Sequence, residues 1–290
     1  MILPRLQASR AQAYIIRGKT PFGKAMDDMT DKTEDLTAEA KYRAPALSKG
    51  LDILELLASV AEGLTQVEIA KKLGRTTPEI FRMVMVLCER GYVEQRGEDD
   101  RYFLTTKMFE VAHRHPPIRR LTSIAGEAMQ RLADRLNQSI HLSIINSGCV
   151  LVIAQVDCPD NNITSVRLGA NIPIYDTASG RVLAAWMEQP ALEALLAEAG
   201  DEPKDRRAAF IADLPEVRAA GYCESPSLTI QGVKNIAVPV FDFSGKVIAS
   251  VTMPFIHRLS GTSIATAEEC RVQMIEVAAG ISRRLGAGVR

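Results

Sequence analysis

The segment from Thr65 to Gly91 constrains the fold most, because it places two short helices on either side of a tight turn. Thr65 and Glu68 have the spacing of a capping box at a helix N-terminus, and Gly74 suits the end of that helix. A second helix is favoured from Thr76, where a threonine cap, a proline in the first turn and an early acid all promote initiation, and it ends at Gly91. The spacing predicts a helix-turn-helix.

Elements on either side extend this unit to a winged helix-turn-helix. Apolar residues recur at steps of three and four over Ser48–Glu62, which predicts a first helix ending at Gly63. After the second of the paired helices, two short β-forming runs, Tyr92–Gln95 and Arg101–Leu104, flank a polar turn and predict a β-hairpin. We therefore expect a DNA-binding domain of this type over residues 45–105.

The remainder predicts a second domain, of α+β class, over residues 121–287, joined to the first by a linker helix at 106–120. A helical pattern from Thr106 is broken by Pro116-Pro117, and an amphipathic helix follows over residues 120–138. Strand-like and helical runs then mix without strict βαβ alternation, which indicates a sheet with helices packed on one side. The predicted strands are His141–Ile145, Val150–Val156, Thr164–Leu168, Lys234–Phe241 and Val247–Met253, and the predicted helices are Thr177–Met187, Pro190–Ala199, Asp205–Ala219 and Thr266–Leu285.

Composition favours a soluble protein with no membrane partner. The 290 residues are 47% hydrophobic and 24% charged, and no apolar run approaches the roughly 18–20 residues of a membrane helix. Five scattered cysteines without a C-x-x-C pair indicate a reducing, cytoplasmic location. Residues 1–44 lack a signal peptide and predict a disordered extension, in which Met26 or Met29 is an alternative start to Met1.

Charge limits how the first domain can bind DNA. The net charge is zero, and residues 45–113 hold nine Lys or Arg against eleven Asp or Glu, so phosphate contacts require an uneven distribution. The second helix of the pair would enter the major groove of an operator duplex. The candidate base readers are Arg75, Thr76, Thr77, Glu79 and Arg82, and the candidate phosphate contacts are Lys71, Lys72, Arg96 and Arg101. For any single exposed arginine among them, a merely solvated surface position is an equal alternative.

The chain resembles the IclR family of bacterial regulators over most of residues 45–287. The resemblance implies a GAF-like effector-binding domain, a homodimer or a tetramer built as a dimer of dimers, and control of catabolic genes by a small organic acid. It rests on the order and spacing of Leu47–Leu57, Glu68–Ala70, Phe81-Arg82, Leu87, Gly91–Val93, Tyr102–Thr105, Leu168–Gly180, Val182–Ala184, Gly221-Tyr222 and Gly232–Asp242.

The resemblance also implies an effector site, and local chemistry adds to it. By position in the family pattern, the implied pocket residues are Gly169, Ala170, Ser225, Asn235 and Thr252. Independently, the segment containing Thr177 and Ser179 places a capping oxygen and free N–H groups at a helix start, which suits a carboxylate. Capping by Asp176 or Thr177 and close packing at Gly180 are the simpler alternative. His141 and Cys223 are weaker candidates, since such residues are more often packed in the core.

Three features depart from the family pattern and leave the operator and effector open. Pro78-Glu79 stands where many relatives have a Ser-Thr pair early in the recognition helix. Ser225–Gln231 lacks an acidic residue that is common in relatives, and Pro254 occupies a position that is often serine.

Two other classes of function remain as alternatives, an enzyme and a module whose winged helix binds protein. The sequence has no G-x-S-x-G, H-E-x-x-H, Walker A or dinucleotide-binding motif, so we expect no catalytic residues and no cofactor. His113 and His115 with Cys149 and Cys158 are the nearest approach to a metal set, but their spacing fits no zinc pattern.

Overall fold

A computed structural model describes residues 44–97, 99–161, 163–257 and 265–288. The predicted N-terminal extension lies almost wholly outside these ranges. The chain divides into two compact units with the boundary between Lys107 and Met108, inside the predicted linker segment, and each unit is described by itself. No helix in the described ranges has the length and apolar character needed to cross a bilayer.

The first unit is a winged helix-turn-helix, as predicted. Its core is built from one face of each helix, where Ile53, Ile69, Ile80 and Val84 are fully buried, and Tyr102 from the hairpin closes it. The hairpin strands are antiparallel, with Val93 opposite Leu104. Its elements are α1 Pro45–Ala58, α2 Gln66–Leu73, α3 Thr77–Glu89, β1 Val93–Arg96 and β2 Arg101–Leu104.

The helix ends follow the sequence signals at α2 but not at α1. The Thr65 N–H donates to Glu68 Oε2 at 2.8 Å and the Glu68 N–H donates back to Thr65 Oγ1, which completes the predicted capping box. The predicted end of α1 at Gly63 is wrong, because the helix ends at Ala58, where the Ser59 hydroxyl donates to a carbonyl of the last turn. Gly63 instead packs against the ring of Phe103 on β2, in the hairpin that forms the wing, and an added side chain there would clash with that ring.

The second unit is an α+β domain around one six-stranded, fully antiparallel sheet. The elements are α4 Lys107–Arg114, α5 Pro116–Leu136, β3 Ile140–Asn146, β4 Cys149–Val156, β5 Asn171–Pro173, α6 Ala178–Ala184, α7 Gln189–Glu198, α8 Lys204–Ala220, β6 Cys223–Pro226, β7 Lys234–Phe241, β8 Val247–Phe255 and α9 Ala267–Arg284. The strand order is β5-β4-β3-β8-β7-β6. A 3-10 turn over Ile174–Asp176 links the edge strand β5 to α6.

Helices cover both faces of this sheet, so the prediction of helices on one side is wrong. Helices α5 and α9 pack on the face that carries Ile236, Val238 and Val251. Helices α6, α7 and α8 form a second core on the opposite face, with Ala237 and Cys223. The central strands are apolar almost throughout, which is the pattern of strands buried on both sides rather than on one.

Three local predictions for the second unit also differ from the structure. Thr164–Leu168 is not a strand, and the edge strand is instead β5, a few residues later. Strand β6 was not predicted. The predicted break between helices at Pro116-Pro117 is present, since α4 ends at Arg114, but α5 begins at Pro116 and not at residue 120, because proline fits the first helical turn, where its missing N–H is not needed.

Candidate DNA-binding and effector-binding sites

Four of the basic residues predicted to contact DNA surround the helix-turn-helix and are free to bind. Lys71 and Lys72 lie in the last turn of α2, Arg75 in the turn and Arg82 on α3, and all four are exposed. None of their side chains forms a hydrogen bond or ion pair with another described residue. Their charges therefore remain available, although Lys71 and Lys72 also suit the negative end of the α2 dipole.

The start of α3 is held by Glu79. Thr76 donates to Glu79 Oε2 through its N–H at 3.2 Å and its hydroxyl at 3.0 Å, while Lys49 Nζ of α1 lies 2.7 Å from Glu79 Oε1. The hydrogen bond from Lys49 and those from Thr76 lower the pKa of Glu79 to about 2. Both carboxylate oxygens are thus used within the unit, which favours capping over base reading for Glu79. Thr76 and Thr77 are exposed.

The side chains of the two wing arginines are both engaged within the first unit. Arg96 pairs with Glu94 and lies 5.4 Å from the centroid of the Phe103 ring. Arg101 Nη1 donates to the Gly63 carbonyl at 3.1 Å and lies 3.2 Å from Glu68 Oε2. Arg101 therefore ties the hairpin to the helices, and this role is independent of any phosphate contact.

The predicted effector residues occupy three places in the second unit. Ser225 on β6 and Asn235 on β7 are direct cross-strand partners. Thr252 lies on β8 and is buried, with its hydroxyl 3.2 Å from that of Ser250. Gly169 and Ala170 form a turn that is hydrogen-bonded to β4, on the far side of the sheet centre from Asn235.

Thr177, Ser179 and Gly180 fit the simpler structural interpretation. Thr177 Oγ1 caps α6 by accepting from the Gly180 N–H at 2.8 Å. A Cβ at Gly180 would stand 2.1 Å from the Ile174 carbonyl oxygen, so glycine is required for close packing. Ser179 is buried in α6, and Asp176 pairs with Arg206. A helix of seven residues with its cap already satisfied is a weak anion site.

A row of residues with a polar centre crosses the sheet on the face covered by α6. Register pairs Gln155, His141, Thr252, Ala237 and Cys223 directly across five neighbouring strands. Because directly opposed residues share a face, these side chains lie side by side. Next to them are the buried serines Ser143 and Ser250, which sequence reasoning missed. The sequence did carry a signal for them, because each serine stands two residues from a polar residue of the row within an otherwise apolar strand: Ser143 from His141, and Ser250 from Thr252.

A cleft of about 350 Å³ opens beside β6, at the end of this row. Ser225 and Cys223 line it, which links it to the predicted effector site. Arg181 of α6 is a basic residue that also lines the cleft, and sequence reasoning did not place it there. Its Nε lies 2.8 Å from Asp213 Oδ2. Burial raises the pKa of the Cys223 thiol to about 11, so this thiol is protonated.

A second, more apolar cavity of about 330 Å³ contains none of the predicted site residues. It lies between β7 and α9 and is lined by residues such as Trp186, Phe241 and Ile275. In the part of the chain that the structure describes, no three His, Cys, Asp or Glu side chains group closely enough to hold a metal ion.

Comparison with known families assigns both units. Residues 46–97 match the IclR helix-turn-helix domain, and residues 117–283, more than half of the chain, match the bacterial transcriptional regulator IclR C-terminal domain. The chain belongs to the IclR family. It is therefore a DNA-binding transcriptional regulator with an effector-binding C-terminal domain, and the family consists of regulators rather than enzymes.

Individual relatives agree with this assignment. The regulator KdgR of Escherichia coli (strain K12) is 29% identical over 227 residues, covering 75% of this chain and 86% of KdgR. The regulator BhcR of Paracoccus denitrificans (strain Pd 1222) is also 29% identical, over 268 residues, covering 88% of this chain and 94% of BhcR.

Solved structures share the fold. The IclR of Thermotoga maritima superposes with a TM-score of 0.65 at 25% identity, covering 83% of this chain and 98% of that protein. An IclR homologue from Microbacterium hydrocarbonoxydans, solved in complex with 4-hydroxybenzoate, has a TM-score of 0.71 at 22% identity, covering 83% of this chain and 98% of its own.

Proposed function

We propose that the chain works in the cytoplasm as a homodimer, or a dimer of dimers, that binds a pseudo-palindromic operator without catalysing a reaction. The observation that carries this is the group of exposed, unpaired cations around the helix-turn-helix, Lys71, Lys72, Arg75 and Arg82. One recognition helix covers only a few base pairs, so two-fold pairing is the usual way to reach operator specificity. Thr76 and Thr77 complete the reading edge of α3, while Glu79 contributes by holding that edge in place.

A mobility-shift titration with DNA flanking the gene tests this role. We expect a specific complex whose affinity falls with salt, with a slope that counts the neutralised phosphates. Methylation or hydroxyl-radical footprinting should reveal two half-sites separated by about one helical turn or a multiple of it. A salt-independent complex, or a single protected half-site at saturation, would contradict the proposal.

The second unit, in this proposal, binds a small carboxylic acid and couples it to the control of a catabolic operon. A relative of the same fold is complexed with 4-hydroxybenzoate, an aromatic carboxylate. The sheet face covered by α6 carries Asn235 and Thr252, and the cleft beside β6, lined by Arg181 and Ser225, opens at one end of this face. Asp213, Glu216 and Glu224 also line the cleft, and because their repulsion grows with the charge of the ligand, a polyphosphate is disfavoured more strongly than an acid with one carboxylate.

Thermal-shift and calorimetric titration with a panel of aliphatic and aromatic acids, including 4-hydroxybenzoate, tests the effector class. A true effector raises the melting temperature and changes operator affinity, and both effects shrink in Asn235→Leu. The matched control is Asn146→Leu, at an exposed position at the end of β3 that is not among the predicted effector residues. Equal binding by Asn235→Leu and the native chain would place the effector elsewhere.

A further inference from the structure

One side chain on the row that crosses the sheet carries a hydrogen-bonding atom with no partner among the described residues. His141 on β3 is only 4% exposed, and its Nδ1 forms no hydrogen bond with any described residue. Its neighbours on the row are satisfied: the hydroxyls of Thr252 and Ser250 lie 3.2 Å apart, and the Gln155 amide bonds to Ser165 and to the Leu168 N–H. Of the three polar side chains Gln155, His141 and Thr252, only His141 therefore carries an unsatisfied polar atom.

The position of His141 is central to the predicted effector residues. Gly169 and Ala170 are hydrogen-bonded to Val152 of β4, whereas Thr252 lies on β8. Strand β3 runs between β4 and β8, and its residue directly opposite Thr252 is His141. A ligand that touched both the Gly169-Ala170 turn and the Thr252 strand would have to pass over this imidazole.

We propose that His141 is a ligand-contacting residue of the effector site, at which Nδ1–H donates a hydrogen bond to a carboxylate oxygen of the bound acid. This inference rests on the proposed effector function and adds a residue to it. Burial lowers the pKa of His141 to about 4, so the ring is neutral at neutral pH and carries one N–H donor. A neutral donor binds an anion in a buried site without the large cost of burying a second isolated charge.

A purely structural role explains the residue less well. A buried polar atom without a partner costs free energy, and an apolar residue of similar size would remove that cost. In the free protein His141 thus reduces stability, which is the expected sign for a group held in place for a ligand.

The test compares His141→Leu, His141→Asn and His141→Gln with the native full-length chain, in thermal melting and in calorimetric titration with the panel of acids that includes 4-hydroxybenzoate. Without any acid, His141→Leu should raise the melting temperature by about 2–4 °C for each kcal/mol recovered. With an acid that binds the native chain, His141→Leu should weaken binding about 10- to 100-fold, the value of a hydrogen bond to a charged group. His141→Asn places its amide where Nδ1 stood and should recover part of the loss, whereas His141→Gln, which reaches the Nε2 position, should not.

The control is His257→Leu, an exposed histidine beyond β8, which should change neither the melting temperature nor the affinity for the acid.

Each result separates this inference from the function on which it rests. An acid that binds the native chain and His141→Leu equally well overturns the role of His141 but leaves the effector class intact. A lower melting temperature for His141→Leu without any acid also overturns it, because the imidazole would then be a stabilising core residue. If no acid in the panel binds the native chain, the carboxylate effector is wrong and the role of His141 falls with it.

Discussion

Arg82 and Glu79, close together on α3, differ in whether their charge is already used. Glu79 is bonded on both oxygens, while the Arg82 guanidinium is exposed and forms no hydrogen bond or ion pair with another described residue. Arginine reads guanine through two parallel hydrogen bonds in the major groove. We therefore expect Arg82, rather than Glu79, to carry direct specificity.

Arg82→Ala should weaken binding to a selected operator by about 1–3 kcal/mol and relax the preference at one base pair of each half-site. Binding titrations at matched salt, with the operator and with single-base variants, measure both effects. Arg218→Ala, an exposed arginine near the end of α8, serves as the control for a lost surface charge. Equal weakening on every sequence would make Arg82 a phosphate contact, and no weakening would remove it from the interface.

The carboxylate of Glu79 should make the start of α3 sensitive to acid. Its pKa is about 2 in the folded chain against an ordinary value of 4.5, so ionised Glu79 stabilises the fold above about pH 4.5. This contribution is lost progressively as the pH falls from 4.5 towards 2. Glu79→Gln should therefore increase hydrogen exchange in the first turns of α3 at pH 6, and the difference from the native chain should fade in acid.

The control for this experiment is Glu89→Gln, an exposed acid at the other end of α3, which should leave exchange at the N-terminal turns unchanged. If the difference in hydrogen exchange between Glu79→Gln and the native chain persisted below pH 3, the geometry of the Glu79 side chain, and not its negative charge, would stabilise the start of α3.

At the level of secondary-structure elements, α6 depends on one position where a side chain has no room. The Ile174 carbonyl oxygen approaches Gly180 so closely that an added Cβ would overlap it. Gly180→Ala should therefore lower the free energy of unfolding by about 1–3 kcal/mol, the usual cost of overpacking. Gly126→Ala is the matched control, since Gly126 lies inside α5 with no atom within 4 Å of an added Cβ.

The two substitutions should shift stability in opposite directions in urea unfolding of the full chain. Gly126→Ala removes the entropic cost of a helical glycine and should stabilise by roughly 0.5–1 kcal/mol. If Gly180→Ala left the free energy of unfolding unchanged, α6 would have to move away from the 3-10 turn without cost. The close approach at Gly180 would then not fix the position of α6.

Sequence reasoning succeeded where local signals act alone. Helices α2 and α3 carry their own start and stop residues, so the winged helix-turn-helix followed from capping and turn chemistry. Edge strands have no such signal: β6 is four residues long and ends in proline, and β5 is only three residues long. Their existence depends on pairing with distant strands, which periodicity within a short window does not reveal.

The effector site shows the same division. Ser225 and Asn235 were proposed by position and are cross-strand partners in the structure. Arg181 was missed because it reaches the cleft from α6, and its neighbour Asp213 comes from α8, 32 positions along the chain. That His141 is central to the site depends on the strand order β4-β3-β8, a tertiary property with no counterpart in a single strand's sequence.

For the whole molecule, regulation requires the effector and the operator to influence each other's binding. An acid that merely bound the second unit would change nothing, since it must prefer the state that binds DNA or the state that does not. Thermodynamic linkage then requires reciprocity: if the acid changes operator affinity by some factor, the operator changes the affinity for the acid by the same factor.

We expect this factor to lie between about 5 and 150, the range of typical allosteric coupling free energies of 1–3 kcal/mol. Operator titrations with and without saturating acid give one estimate, and acid titrations with and without saturating operator duplex give the other. Arg82→Ala separates the two sites, because it should weaken the operator complex while leaving the affinity of the DNA-free chain for the acid unchanged. Asn235→Leu should do the reverse: it should weaken binding of the acid and leave operator binding without the acid unchanged. Agreement of the two factors establishes coupling between distinct sites; a factor of one in both directions would mean that the acid is a ligand but not an effector.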